Sequence, residues 1–220
     1  MVKKLGMVLL CAALGTTLYA RDDISKSNLF VGLELESTKA DATTEFFDVN
    51  IPLYPKLESS SSSVIEYGFR VGAEKENWRT TLLYTYYNNE DGGLEETMHK
   101  GSMLLDYFIW SSGTTEYNVK PYLGAHVGYM SYTASGPVDL GNGALASATW
   151  ADDSGLFYGG QAGIAMTMSE VIQLDLSYKY SLTTLDSIEV PLPLVSGQPT
   201  RAVTELDNMG SIAFSINYFY

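Results

Sequence analysis

The sequence predicts an all-β fold: a closed antiparallel transmembrane β-barrel of eight strands, with long extracellular loops and short periplasmic turns. Three observations carry this reading. Apolar and polar residues alternate with period two along most of the 220 residues, the pattern of strands whose two faces meet different surroundings. The links between alternating segments are long and short by turns. After residue 20 no apolar run nears the roughly 20 residues of a helical span, so a membrane could be crossed only by strands.

Residues 1–20 read as a secretory signal peptide. Lys3 and Lys4 form a basic start, residues 5–18 are almost wholly apolar, and Ala20 precedes the charged Arg21-Asp22-Asp23. Such a stretch is too short and wrongly flanked for a transmembrane helix. Cys11, the single cysteine, falls within it, so residues 21–220 would form one barrel domain without a disulfide framework. The formal charge of −13 becomes −15 once the two signal lysines leave, with 11 basic against 26 acidic residues. That balance excludes an electrostatic footprint for nucleic acid.

Eight segments follow in order. Residues 29–37 set Leu29, Val31, Leu33 and Leu35 on one face, and 64–73 do so with Ile65, Tyr67, Phe69 and Val71. Residues 78–88 align Trp78, Leu82, Tyr84 and Tyr86, and 98–110 align Met103, Leu105, Tyr107 and Ile109. Residues 119–133 present Leu123, Ala125, Val127 and Tyr129, and 156–168 present Leu156, Tyr158, Ala162, Ile164, Met166 and Met168. Residues 172–182 alternate most cleanly, with Ile172, Leu174, Leu176, Tyr178 and Tyr180 opposed to Gln173, Asp175, Ser177 and Lys179. The chain closes on Ile212, Phe214, Ile216, Tyr218 and Tyr220. Polar loops at 38–63, 89–97, 134–155 and 183–207 separate pairs of strands, with tight links at 74–77, 111–118 and 169–171 between them. Four long and three short links leave both termini on the short-turn side, the plan of an outer-membrane barrel. A hairpin inside the first loop would raise the count to ten strands.

Alternation alone does not say which face points outward. The polar face carries Gly32, Gly68, Gly72, Gly124, Gly128, Gly159 and Gly163, and small residues suit the narrow interior of an eight-stranded barrel. It also carries Glu34, Glu36, Glu66, Asp106 and Asp175 against Arg70, Arg79, Lys100 and Lys179, a near balance that lets buried charges pair. Aromatic residues gather at segment ends, where amphipathic rings meet the two membrane interfaces. The apolar face therefore looks onto lipid.

The last strand, residues 211–220, alternates and ends on an aromatic residue. It resembles the C-terminal signal read by the outer-membrane assembly machinery, here Phe214, Ile216, Tyr218 and Tyr220. The run Lys120-Pro121-Tyr122-Leu123-Gly124-Ala125-His126-Val127-Gly128-Tyr129 is similar to a strand of small barrels of the OmpA/OmpX type. So is the hairpin over 156–180, with Gly159-Gly160-Gln161-Ala162-Gly163 leading to Asp175-Leu176-Ser177-Tyr178. The resemblance implies the outer membrane of a Gram-negative bacterium, with membrane lipid, lipopolysaccharide and the assembly machinery as partners. OmpA continues into a peptidoglycan-binding domain; this chain ends with its barrel, so no cell-wall anchoring is carried over.

Three features could carry chemistry. Glu34, Glu66, Arg70, Arg79, Lys100, Asp106, Asp175 and Lys179 form an interior charge network; they line a narrow ion path or, as an eight-stranded interior favours, fill the barrel with salt bridges. His126 lies mid-strand on the inward face with Gly128 beside it, and His99 near a loop, each without a local nucleophile, so neither reads as a catalytic base. The loops are rich in Asp and Glu and could attract hard cations, but their spacing matches no metal site, and no cofactor is expected. Two apolar, proline-marked stretches, 46–55 and 188–195, mark loops 38–63 and 183–207 as a possible partner surface or as a cap on the barrel, the cap being preferred to strands that run on beyond the membrane. The expected function is a non-enzymatic barrel with acidic surface loops in a structural or adhesive role. The alternatives are a narrow porin-like channel and a lipid A-modifying enzyme.

Overall fold

The computed structural model describes residues 28–47, 56–91, 94–114, 117–139, 145–185, 188–191 and 201–220. The expected signal peptide lies outside them. The described strands are β1 (Asn28–Phe47), β2 (Lys56–Lys75), β3 (Trp78–Asp91), β4 (Leu94–Phe108), β5 (Ser112–Gly113), β6 (Asn118–Asp139), β7 (Leu145–Ser169), β8 (Ile172–Thr183), β9 (Ile188–Pro191) and β10 (Arg201–Phe219). Eight of them make the wall in the order β1-β2-β3-β4-β6-β7-β8-β10, and β10 pairs back onto β1. Every pairing is antiparallel, and the Leu33↔Ile216 and Leu35↔Phe214 register closes the cylinder. Closure leaves no strand edge within the wall, the condition for β-structure in lipid.

The two extra strands are not the hairpin considered in the first loop. β5 is a two-residue pairing with β6 inside a periplasmic link, and β9 runs beside the first residues of β10. The links at 74–77 and 169–171 turn tightly, as their spacing predicts, and the described part of the link over 111–118 pairs β5 with β6. Glu76 takes a left-handed conformation, φ 44°, in the first of them.

The polar loops require correction. β1 continues to Phe47 beside β2, β6 and β7 stay paired to Asp139↔Leu145, and β10 begins at Arg201. Most of residues 38–63, 89–97, 134–155 and 201–207 is therefore strand. A ladder started in the barrel adds about two hydrogen bonds for every second residue pair as it lengthens. Beyond the bilayer it needs no apolar face, so its sequence loses the alternation that marks the wall. Phe46 and Phe47 belong to β1, and residues 188–191 to β9, on either side of β10. What is described of the expected cap is thus paired strand. Residues 48–55 and 192–195 lie outside the described chain.

Above the wall these strands form two sheets, β9-β10-β1-β2 and β3-β4-β6-β7. Among the described residues, β2 pairs with β3 only from Tyr67↔Tyr86 downward. β7 pairs with β8 only from Phe157↔Thr183 downward, and no ladder joins β7 to β9. Two seams separate the sheets.

The facing rule of the sequence holds throughout the wall. Leu33 is 63% exposed and Leu123 57%, whereas Glu66, Arg79 and Asp175 are inaccessible. So broad an apolar exterior belongs against lipid. Trp78 and Tyr107 pack with ring centroids 4.8 Å apart at the periplasmic rim. Tyr67, Tyr84, Tyr158 and Tyr180 stand exposed toward the other.

Candidate functional site

Among the described residues, charged side chains converge in the barrel interior, which divides into layers. The lowest charged layer is built on Arg79 of β3. Its Nε donates to Asp106 at 2.9 Å and its Nη1 to Asp175 at 2.5 Å. The guanidinium lies 4.6 Å from the ring centroid of Tyr122 and 5.4 Å from that of Phe108. Tyr122 donates to Asp175 at 2.7 Å, and Gln161 donates to Asp106. Nearer the periplasm, Lys120 donates to Glu74 at 2.6 Å, and Gln173 joins Glu74 to Arg79.

The second layer has no single centre. Arg70 donates to Glu34 at 2.9 Å and also to Ser215. Lys179 bridges Glu34 and Glu36 at 2.5 and 2.9 Å. Lys100 meets Glu66 at 2.7 Å and stands 3.8 Å from Glu36. Hydroxyls supply the remaining donors: Thr38 and Thr85 reach Glu66 at 2.6 and 2.8 Å. Three cations and three carboxylates alternate, with each carboxylate hydrogen-bonded, as buried charge requires.

Apolar groups bound both layers. Phe108, Tyr122 and Ala165 pack below. Tyr87, Met98, Met130, Phe157 and Met209 pack above, with Val64, Tyr132 and Leu185 against them. The inner-face glycines seat these rings. A Cβ on Gly128 would fall 2.5 Å from Phe157 Cζ, and one on Gly163 2.5 Å from the Tyr122 hydroxyl oxygen. At the outer mouth, beyond the aromatic rim, Glu96 accepts from Tyr87 and Tyr132 at 3.2 and 2.9 Å. Burial, reinforced by that carboxylate, raises the Tyr132 hydroxyl well above the usual tyrosine range, so it stays a donor.

All eight residues of the proposed network face the interior, but in two groups: Arg79, Asp106 and Asp175 in one, Glu34, Glu66, Arg70, Lys100 and Lys179 in the other. The C-terminal Phe214, Ile216, Tyr218 and Tyr220 are exposed on the outer wall. Glu74, Lys120 and Tyr122 complete the lower layer and lie outside the eight residues expected from the sequence. Glu74 follows Arg70 and Gly72 in parity, and Lys120 precedes Tyr122 and Gly124, so alternation carried two residues further reaches them.

Both histidines require correction, because each has a partner on another strand. His126 Nε2 lies 2.8 Å from Ser181 Oγ of β8. The pair is buried between the apolar layers, and Nδ1 makes no well-formed hydrogen bond, with only the Gln161 amide interacting with the ring. His99 faces outward, its Nδ1 2.7 Å from the Tyr84 hydroxyl and its ring 5.0 Å from that of Tyr86. A hydrolytic dyad needs an oriented imidazole and an accessible nucleophile, and neither histidine supplies both. Among the described residues no cluster of three metal-ligating side chains occurs.

No protein-family model and no curated protein matches the chain. Among solved structures the chain is similar to the outer membrane protein OprG from Pseudomonas aeruginosa, with 16% identity and a TM-score of 0.61, over 89% of this chain and 97% of that one. It is also similar to Neisserial surface protein A, with 16% identity and a TM-score of 0.46, over 86% and 97% of the two chains. The first likeness shows the fold: a small outer-membrane β-barrel.

Proposed function

We propose that this chain is a non-enzymatic barrel of the Gram-negative outer membrane, whose two sheets beyond the bilayer are its working surface, in a structural or adhesive role. The filled interior is the observation that carries the reading. Two layers of paired charge lie between Met- and aromatic-rich layers, a construction suited to holding a wall rigid rather than to passing solutes. The His126–Ser181 pair is enclosed in that interior, away from any lipid at the outer wall.

The sheets differ in charge. The stretches of β3, β4, β6 and β7 beyond the aromatic rim hold seven acidic residues, from Glu90 to Asp153, and no Lys or Arg. The other sheet carries Lys39, Lys56 and Arg201 among its acids. The first would take a cationic partner surface, or divalent ions bridging to lipopolysaccharide phosphates.

Two measurements test this reading. Purified protein in planar bilayers should give no steady single-channel steps; regular steps would establish the porin-like alternative, with Lys100 and Lys179 exchanging carboxylates as the gate. Cells bearing the chain should adhere to a polycationic surface more than cells bearing a variant with the β6–β7 extension shortened. Equal adhesion would remove the surface role.

A further inference from the structure

The charged layer around Lys179 encloses a cavity of about 20 Å³, lined among others by Glu36, Lys100, Ser102, His126, Lys179 and Ser181. A water needs roughly 10–15 Å³ and two to four polar partners, so the volume admits one. His126 is 6% exposed, and its buried Nδ1 makes no well-formed hydrogen bond, the Gln161 amide being the side chain that interacts with the ring. The Lys100 ammonium has three protons to donate. It gives one to Glu66 at 2.7 Å, while Glu36 at 3.8 Å is beyond hydrogen-bond reach.

We infer that this cavity is a binding site for one structural water, hydrogen-bonded to His126 Nδ1 and accepting from Lys100. Charge decides for water over an ion. Arg70, Lys100 and Lys179 balance Glu34, Glu36 and Glu66, so a halide or a metal ion would leave unit charge uncompensated in an interior that cannot solvate it. Water serves either tautomer of His126, donating to a bare Nδ1 or accepting from a protonated one. It links inward-facing side chains of the neighbouring strands β4 and β6 above their Leu104↔His126 pairing. The site rests on the interior geometry alone and stands whatever the outer sheets bind.

The test uses the folded full barrel in detergent micelles, with ¹⁵N-labelled histidine and water-selected nuclear Overhauser spectra. A long-lived water signal at the His126 ring protons is expected, and Ser102→Leu, which fills the cavity, should abolish it. The inference fails if wild type shows no such signal. It fails equally if the signal survives in Ser102→Leu, or if the Nδ1 resonance responds instead to Gln161→Leu. That last result would mark a direct bond to Gln161 Oε1, itself without a partner. Should Ser102→Leu not fold, a high-resolution crystal structure of wild type decides the matter by density, or none, within reach of Nδ1.

Discussion

The two charged layers inside the barrel solve one problem in opposite ways. Around Arg79 a single guanidinium satisfies Asp106 and Asp175 and stacks on Tyr122. Around Lys179 the load is shared: Glu66 accepts from one lysine and two threonines, and Glu34 from a lysine and an arginine. A hub is compact and fixes three strands through one side chain, but its loss takes the paired cation from both carboxylates at once and leaves each a neutral donor, Gln161 or Tyr122. A mesh takes more residues and keeps partial satisfaction when one is lost.

The largest expected effect follows from that asymmetry. Arg79→Met leaves two buried carboxylates without their cation and should cost about 3–5 kcal/mol, read as a lower urea midpoint for loss of the heat-modifiable gel band. Adding Asp106→Asn and Asp175→Asn should recover most of it; no recovery would mean that Arg79 acts by packing, and the contrast with the mesh would lose its basis. Lys100→Met tests the other side. Glu66 keeps the Thr38 and Thr85 hydroxyls, so about 2 kcal/mol is expected; a loss equal to that of Arg79→Met would erase the distinction. The smallest effect belongs to Gly128→Ala. The new methyl presses on the Gly101 carbonyl oxygen, 2.6 Å away, and on Phe157, whose ring lies 6.0 Å from Lys100 Nζ and 6.1 Å from the His126 ring. About 1–2 kcal/mol is expected, with the His126 ring resonances shifted and those of Tyr122 unchanged if the two layers are independent.

The sequence made the wall legible because every second residue of 172–180 answers to lipid and the others to the lumen. Facing needs only parity, and parity is local. Partners are not local. Arg79 meets Asp175 across 96 positions and His126 meets Ser181 across 55, and both pairings depend on the stagger of strands around the cylinder, which no single segment encodes. The apolar layers were hidden for a related reason. Phe108, Tyr122 and Phe157 are large apolar or aromatic residues with inward parity, so they look like lapses in the alternation until Gly163 beneath Tyr122 and Gly128 beneath Phe157 are seen. Beyond the rim the rule of two faces lapses altogether, and strands such as β1 above Lys39 read as polar loop.

The strands that leave the membrane are the same strands that cross it. β1 runs unbroken from Asn28 to Phe47 and β7 from Leu145 to Ser169. A load applied at a hairpin tip therefore travels along covalent backbone into the wall. There it is met by many interstrand hydrogen bonds lying crosswise to the pull, all strained together instead of peeling one by one. The molecule is anchored like a tether pulled in shear, and its grip should outlast that of a loop stitched to the rim by a few contacts.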